Sequence, residues 1–439
     1  MQVGIIGCII GFLVVIYLCY KDWSVYLATF VGTCVVIAFN TLPFIGTLSG
    51  LFADGMFIAV KSFFFMILFG CIQSQIYVES GAAFSIADTI MRKMLKPGAS
   101  NTRKNVIAMS VLLVIGIVLN LGGITASVVI VLMYPIALTV FEYCDIPKRF
   151  ILGVLGACSY TFTLTMPGSP QVTNVAAMTS LGTSSWVAPI PGLVGAVVEI
   201  IVIIVLLNTF INKARKEDEH FALHPEDPHY DRESPRPGFI KSLLPMIIVF
   251  VVFNFLNVNI NICLIGSILL SIVLFWPQLK ARNMKALLNK GANDSIHMTL
   301  TVAAICGFAG TVTGTDAFQS MLDVITSIDM PPLIICAVVV AVMCMLTGGS
   351  STGQLISLPL IAPKLLSLGV NVGAIHRVAC FAATTLDSMP YSGAILMLLP
   401  MCHMTLKEIY KPLFITTVVA TFCGTVAVVL MCTLFPGLT

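Results

Sequence analysis

Charge is what this sequence has least of. Only 10% of its 439 residues are Asp, Glu, Lys or Arg, against 58% hydrophobic. A soluble domain carries about 25% charged residues, so a freely soluble chain is excluded. Short alternating strands are also lacking, which argues against a β-barrel. The 14 cysteines form no CxxC pair. Scattered through apolar segments, they read as buried free thiols, not as a disulfide or metal framework. There is no GK[ST] nucleotide loop, no HExxH, no GxSxG and no acid pair suited to hydrolysis. No enzyme, cofactor, metal or nucleic-acid partner is therefore expected. The opening MQVGIIGCIIGFLVVIYLCY lacks a positive start and a cleavage site. It reads as an uncleaved first span.

What is abundant is apolar runs near the roughly 20 residues that cross a bilayer as helix. The expectation is an all-α polytopic membrane protein. Spans read as 3–20, 24–40, 56–77, 187–212, 242–257, 260–276, 297–315 and 412–435. With the N-terminus outside, of 23 Lys and Arg only Lys61, Lys364 and Arg377 fall outside or within a span. That bias fixes the orientation, with both termini outside. The charged, proline-rich stretch 214–237 then reads as a solvated cytoplasmic linker between two halves, 1–213 and 238–439. Its three histidines, His220, His224 and His229, lack any fixed geometry for a metal.

The halves resemble each other where they are polar. Both 119-LNLGGITAS-127 and 346-LTGGSSTG-353 interrupt apolar regions. Each is followed by a proline-bearing apolar stretch and then a basic pair, Lys148-Arg149 and His376-Arg377. Last come 165-TMPGSP-170 and 388-SMPYSG-393, sharing [ST]-M-P-x-S. Five crossings per half would make the repeats inverted, a pointer to a secondary transporter. Arms of about 15 residues cover only about 22 Å as helix, short of a roughly 30 Å core. So 106–142 and 331–368 read as re-entrant hairpins with tips at Gly122-Gly123 and Gly348-Gly349. The segments 149–186 and 374–402 read as helices broken at Met-Pro.

Four interruptions meeting near the midplane would make one polar site, with half-helix N-termini offering N–H groups to an anion. The candidates are Asn120, Gly122, Gly123, Thr125, Ser127, Thr165, Gly168, Ser169 and Gln171 from the first half. The second half offers Gly348, Gly349, Ser350, Ser351, Thr352, Ser388, Tyr391 and Ser392. Any one hydroxyl more often just satisfies kinked backbone; four matched clusters favour a site. Lys61, His297 and Arg377 read as snorkelling near span ends, and Asp316 as the cap of a surface helix. Asp387 lies within a break, where a charge is functional by default. It is either a proton carrier, with Thr385 beside it, or the N-cap of the next half-helix. A channel would show charge rings or a filter repeat; neither is here.

The segment 385-TLDSMPYSGAILMLL-399, followed by 404-MTLKEIYKPL-413, resembles the D-[ST]-L-P-H-[NS]-G-A and LTHKESY segments of the gluconate permease (GntP-type) family. Met389 stands for leucine and Tyr391 for histidine. The resemblance implies H+-coupled uptake of a small organic anion, gluconate or a hydroxy acid such as hydroxybutyrate or lactate. It places the chain in the wider ion transporter superfamily, with an elevator cycle and a homodimer in a bacterial inner membrane. Hydroxyls and carbonyls at helix breaks would serve Na+ equally well, so H+ and Na+ both stand.

Overall fold

An apolar run in lipid must satisfy every backbone N–H and C=O internally, so it folds as helix. The computed structural model contains helices and turns and, among the described residues, no strand. It describes residues 2–21, 23–94, 100–123, 126–225, 227, 235–280, 282–318, 320, 330–390, 392, 395 and 402–439. At some helical positions, Ser127 among them, only the backbone is described.

Helices α1 (Gln2–Tyr20) and α2 (Val25–Phe39) form an antiparallel pair. Helix α3 runs unbroken for 36 residues, Phe44–Glu79, through a π-turn at Leu48–Phe52. It starts well before the expected span 56–77. A short amphipathic helix, α4 (Ala82–Met94), follows. Next come α5 (Asn101–Leu121) and α6 (Ala126–Cys144), then α7 (Ile151–Ser159) and α8 (Val172–Leu181). Helix α9 (Pro189–Lys216) closes the first half.

The second half opens with α10 (Phe239–Phe255), α11 (Ile260–Leu274) and α12 (Met284–Thr313). Helices α13 (Pro332–Thr347), α14 (Ser350–Ser367) and α15 (Val372–Ala383) follow. Helix α16 (Leu406–Leu434) begins on a capping box of Thr405 and Glu408 and passes a π-turn at Ile415–Val419. Five of these, α3, α5, α9, α12 and α16, are long and apolar enough to cross a membrane. The chain is a multi-pass membrane protein.

Helices α3 and α12 approach so closely at two points that only glycine fits there. A Cβ on Gly55 would stand 2.3 Å from the Cys306 carbonyl, and one on Gly310 2.6 Å from that of Leu51. The two hairpins differ. In the second, the arms have 16 and 18 residues. In the first they have 21 and 19, about 31 and 29 Å of helix. The arms of about 15 residues expected there are too short.

Three local expectations are corrected. Arg377 is wholly buried instead of snorkelling. The cap before Phe318 is Thr315, one residue ahead of Asp316; the Thr315 hydroxyl accepts the Phe318 amide at 3.1 Å. The linker is tied down along its first part. Asp145 accepts from His220 at 2.7 Å and from the Phe221 amide at 3.1 Å. Asp227 takes the Lys148 ammonium at 2.7 Å and the Tyr134 hydroxyl at 2.9 Å. His224 stacks on His403, ring centroids 4.7 Å apart.

Candidate functional site

The second hairpin turns at Gly348, whose φ of 61° only glycine adopts freely. Gly353 lets the arms close: a Cβ there would meet the Cys344 amide at 2.5 Å. The first amide to bond within α14 is that of Gly353, to the Gly349 carbonyl at 3.0 Å. The amides of Ser350, Ser351 and Thr352 precede it, at the helix positions that lack intrahelical acceptors.

These residues face a cavity of about 150 Å³. Across it lies the break after α15. Asp387 is buried there and accepts from the Ser388 hydroxyl at 2.9 Å, with the Ser350 hydroxyl also beside it. Ser392 donates to the Gly348 carbonyl at 3.4 Å, tying break to hairpin tip. The N-terminal residue of α6, Ala126, and those of α8, Gln171 and Val172, reach the same cavity. The remaining lining is mostly apolar, Phe63 and Ile67 of α3, Val302 and Ile305 of α12, Leu164 and Ile395, with Tyr160, Thr301 and Thr347 among it. Among the described residues, no lysine or arginine lines it. A second cavity, about 410 Å³, shares Thr352 and includes Asp54.

The candidates named from the sequence therefore separate. Gln171, Gly348, Gly349, Ser350, Ser351, Thr352, Asp387, Ser388 and Ser392 line the cavity. Thr125 and Tyr391 lie outside the described residues, as does the side chain of Ser127. The remaining candidates are not in its lining and make contacts of their own. Asn120 donates to the Gly116 and Cys158 carbonyls at 2.8 and 3.1 Å. Gly122 packs on Met246, and Gly123 on Leu264 and Val249. Ser169 donates to the Thr163 carbonyl at 2.5 Å, and the Gly168 amide to that of Ser185 at 3.0 Å. Thr385 is paired with Thr425 at 3.0 Å.

Thr165 offers its carbonyl to Arg377. That guanidinium bonds the Thr165 and Val187 carbonyls, each at 2.6 Å, the Ser185 carbonyl at 3.1 Å and the Asn174 amide oxygen at 3.2 Å. His376 beside it contacts Thr183 at 2.6 Å and Asn174 at 3.2 Å. A second-half side chain thus fills the first-half break. Glu199 of α9 is a further buried acid that the survey of ionisable groups in the sequence passed over. Its signal was plain: one acid inside 197-VVEIIVIIVLL-207.

No family model matches the chain. It is similar to a Bacillus subtilis (strain 168) protein named Uncharacterized transporter YxjC, 26% identical, covering 96% of this chain and 97% of that one. A Haemophilus influenzae protein named Uncharacterized transporter is 22% identical, over 89% of each chain. In fold the chain is similar to the crystal structure of the Alcanivorax borkumensis YdaH transporter. There the TM-score is 0.52 at 10% identity, covering 89% of each chain. A multi-pass membrane transporter is what these comparisons support.

Proposed function

We propose that the chain is a secondary active transporter that takes up a short organic carboxylate together with a proton. One observation carries this: the open N-terminus of α14 and the buried Asp387 share a cavity that no basic residue lines among the described residues. Helix N-termini and hydroxyls hold an anion without a lysine or arginine. An ionised Asp387 in the same cavity opposes that anion. Two unit charges about 4 Å apart repel by roughly 4 kcal/mol at an effective dielectric of 20. The anion therefore binds well only when Asp387 carries a proton, and this mutual requirement couples the two.

Size and polarity narrow the substrate class. A cavity of about 150 Å³ admits a molecule the size of benzene. Lactate and 3-hydroxybutyrate fit such a space more readily than the six-carbon polyol gluconate. One polar wall facing apolar ones suits a carboxylate with a methyl end better than a polyol. The likeness to the gluconate permease segments extends the proposal to inverted repeats, an elevator cycle, a homodimer and both termini outside the inner membrane.

The test is uptake into liposomes of lactate, 3-hydroxybutyrate or gluconate under an imposed pH or Na+ gradient. Accumulation should follow the pH gradient and favour the short acids. Accumulation driven by Na+ alone overturns the proton reading. Asp387→Asn should still exchange substrate but should fail to concentrate it. Full accumulation by that variant would instead assign Asp387 to helix capping, since Asn caps well.

A further inference from the structure

Glu199 takes no part in the cavity just described. It stands in α9 with no solvent exposure. Neither carboxyl oxygen has a hydrogen-bond partner of good geometry. The nearest donor is the amide of Phe162, at the start of the one-turn helix Phe162–Thr165 in the first break. On its other side is Gly424 of α16. A Cβ there would lie 2.5 Å from both Cγ and Oε1 of Glu199, so the carboxyl occupies the gap that this glycine leaves.

Most charged groups on the packed elements sit at helix ends, several turns from Glu199 or Gly424: Arg103 and Lys104 of α5, Lys213, Arg215 and Lys216 of α9, Lys407 and Glu408 of α16. Arg377 of α15 is engaged with its four acceptors around the first break. Lys411 of α16 lies over the Phe210 ring at 5.3 Å. Asp387 faces the cavity. Helix α5 meets α9 through the uncharged Asn105, Asn208 and Asn212. A buried carboxylate without a counter-charge costs several kcal/mol, so this group requires a cation. A metal ion suits the place badly: it needs more oxygens than two, and an N–H points at the site. The cation that fits is a proton.

We propose that Glu199 is a second proton-binding site of the transporter, held between α9, α16 and the first break, and distinct from Asp387. An O–H bond forms on the carboxylate when the site loads. It breaks on release, the proton passing to water when the surrounding helices part. The link to the cavity runs along α16. Thr425, next to Gly424, is paired with Thr385 at 3.0 Å, two residues before Asp387. Only the place of this site in a cycle rests on the transport reading. Its occupancy can be read without any substrate.

The experiment is infrared difference spectroscopy between acidic and alkaline buffer on purified protein in lipid nanodiscs. Wild type should show a protonated-carboxyl carbonyl band that disappears in alkali and shifts on 13C-glutamate labelling. The labelled arm uses wild type, so folding of a variant does not limit it. The band should be lost in Glu199→Gln and kept in Asp387→Asn. A glutamate band that is absent, that ignores pH, or that survives Glu199→Gln overturns the proposal. In liposomes carrying lactate, Glu199→Gln should lower the proton-to-substrate ratio by one; an unchanged ratio overturns a coupling role. If wild type moves none of the carboxylates, the transport reading fails while the infrared result still decides the proton site.

Discussion

The two helix breaks share a sequence motif and have opposite fates. The first, around Met166-Pro167, is largely tied up within the protein, although Leu164, Gln171 and Val172 at its edges reach the cavity. Its hydroxyls bond its own carbonyls, and Arg377 collects the acceptors left over. The second, around Met389-Pro390, keeps Asp387, Ser388 and Ser392 on a cavity. A broken helix frees backbone groups either way. What differs is how many of them the protein itself satisfies. One break is a strut, and the other is left available for chemistry.

Removing the strut's centre should have the largest effect. Arg377→Ala strands two carbonyls at 2.6 Å and further acceptors at 3.1 and 3.2 Å. Each buried acceptor left without a donor costs roughly 1–3 kcal/mol. Thermal unfolding in detergent should show a collapse in stability, and Arg377→Lys should recover only part, since an ammonium lacks the planar fork. A stable Arg377→Ala protein would dissolve the contrast between the two breaks.

A paired substitution sharpens the contrast at intermediate size. Ser351→Ala and Thr352→Ala each remove a hydroxyl from the cavity wall. Each should weaken binding of a short carboxylate by about 0.5–1.5 kcal/mol, roughly 2- to 12-fold, with melting nearly unchanged. Ser169→Ala should do the reverse. It removes the bond to the Thr163 carbonyl and should cost about 1 kcal/mol of stability while affinity holds. Titration calorimetry with lactate, run beside melting curves, separates the two patterns.

The smallest effect concerns the linker strap and its pH dependence. Burial alone would push the Asp145 carboxyl up, but the His220 ring, the Phe221 amide and Arg215 hold it below the ordinary value. Its hydrogen bonds to Asp145 and Asp218 raise the His220 imidazole. The Asp145 contribution is present above about pH 3.9 and is lost as pH falls through its lowered value. The His220 contribution is full below about pH 6.5 and is lost as pH rises through its raised value. The strap is therefore tightest in the mildly acidic window between them. Relative to the intrinsic base-catalysed rate, amide protection across residues 217–225 should fall in alkali, and His220→Ala should remove that dependence.

Much of this was legible because the bilayer imposes simple rules. Apolar runs of span length became helices, and Asp387 drew notice as a charge in a break. Arg377 was misread because snorkelling depends on depth, and depth depends on partners in the other half. The matched motifs suggested equal roles for Ser169 and Ser392; the tertiary reach of Arg377 makes them unequal. The first hairpin's arms looked short because polar residues 101–105 hide its start, which the Ser100 side chain caps by accepting from the Arg103 amide at 3.4 Å. Reading residues 214–237 by composition gave no hint that Asp227 would bury its carboxylate against Lys148.

The Arg377 contacts also bear on how the molecule is made. Ribosomes deliver the first break long before α15 emerges. Until then the carbonyls of Thr165, Ser185 and Val187 lack the guanidinium that will join them. The nascent N-terminal half is thus a waiting partner, completed in trans by a side chain synthesised some two hundred residues later. Co-expressed as separate halves, the two pieces should find each other, whereas the first alone should be cleared by membrane quality-control proteases.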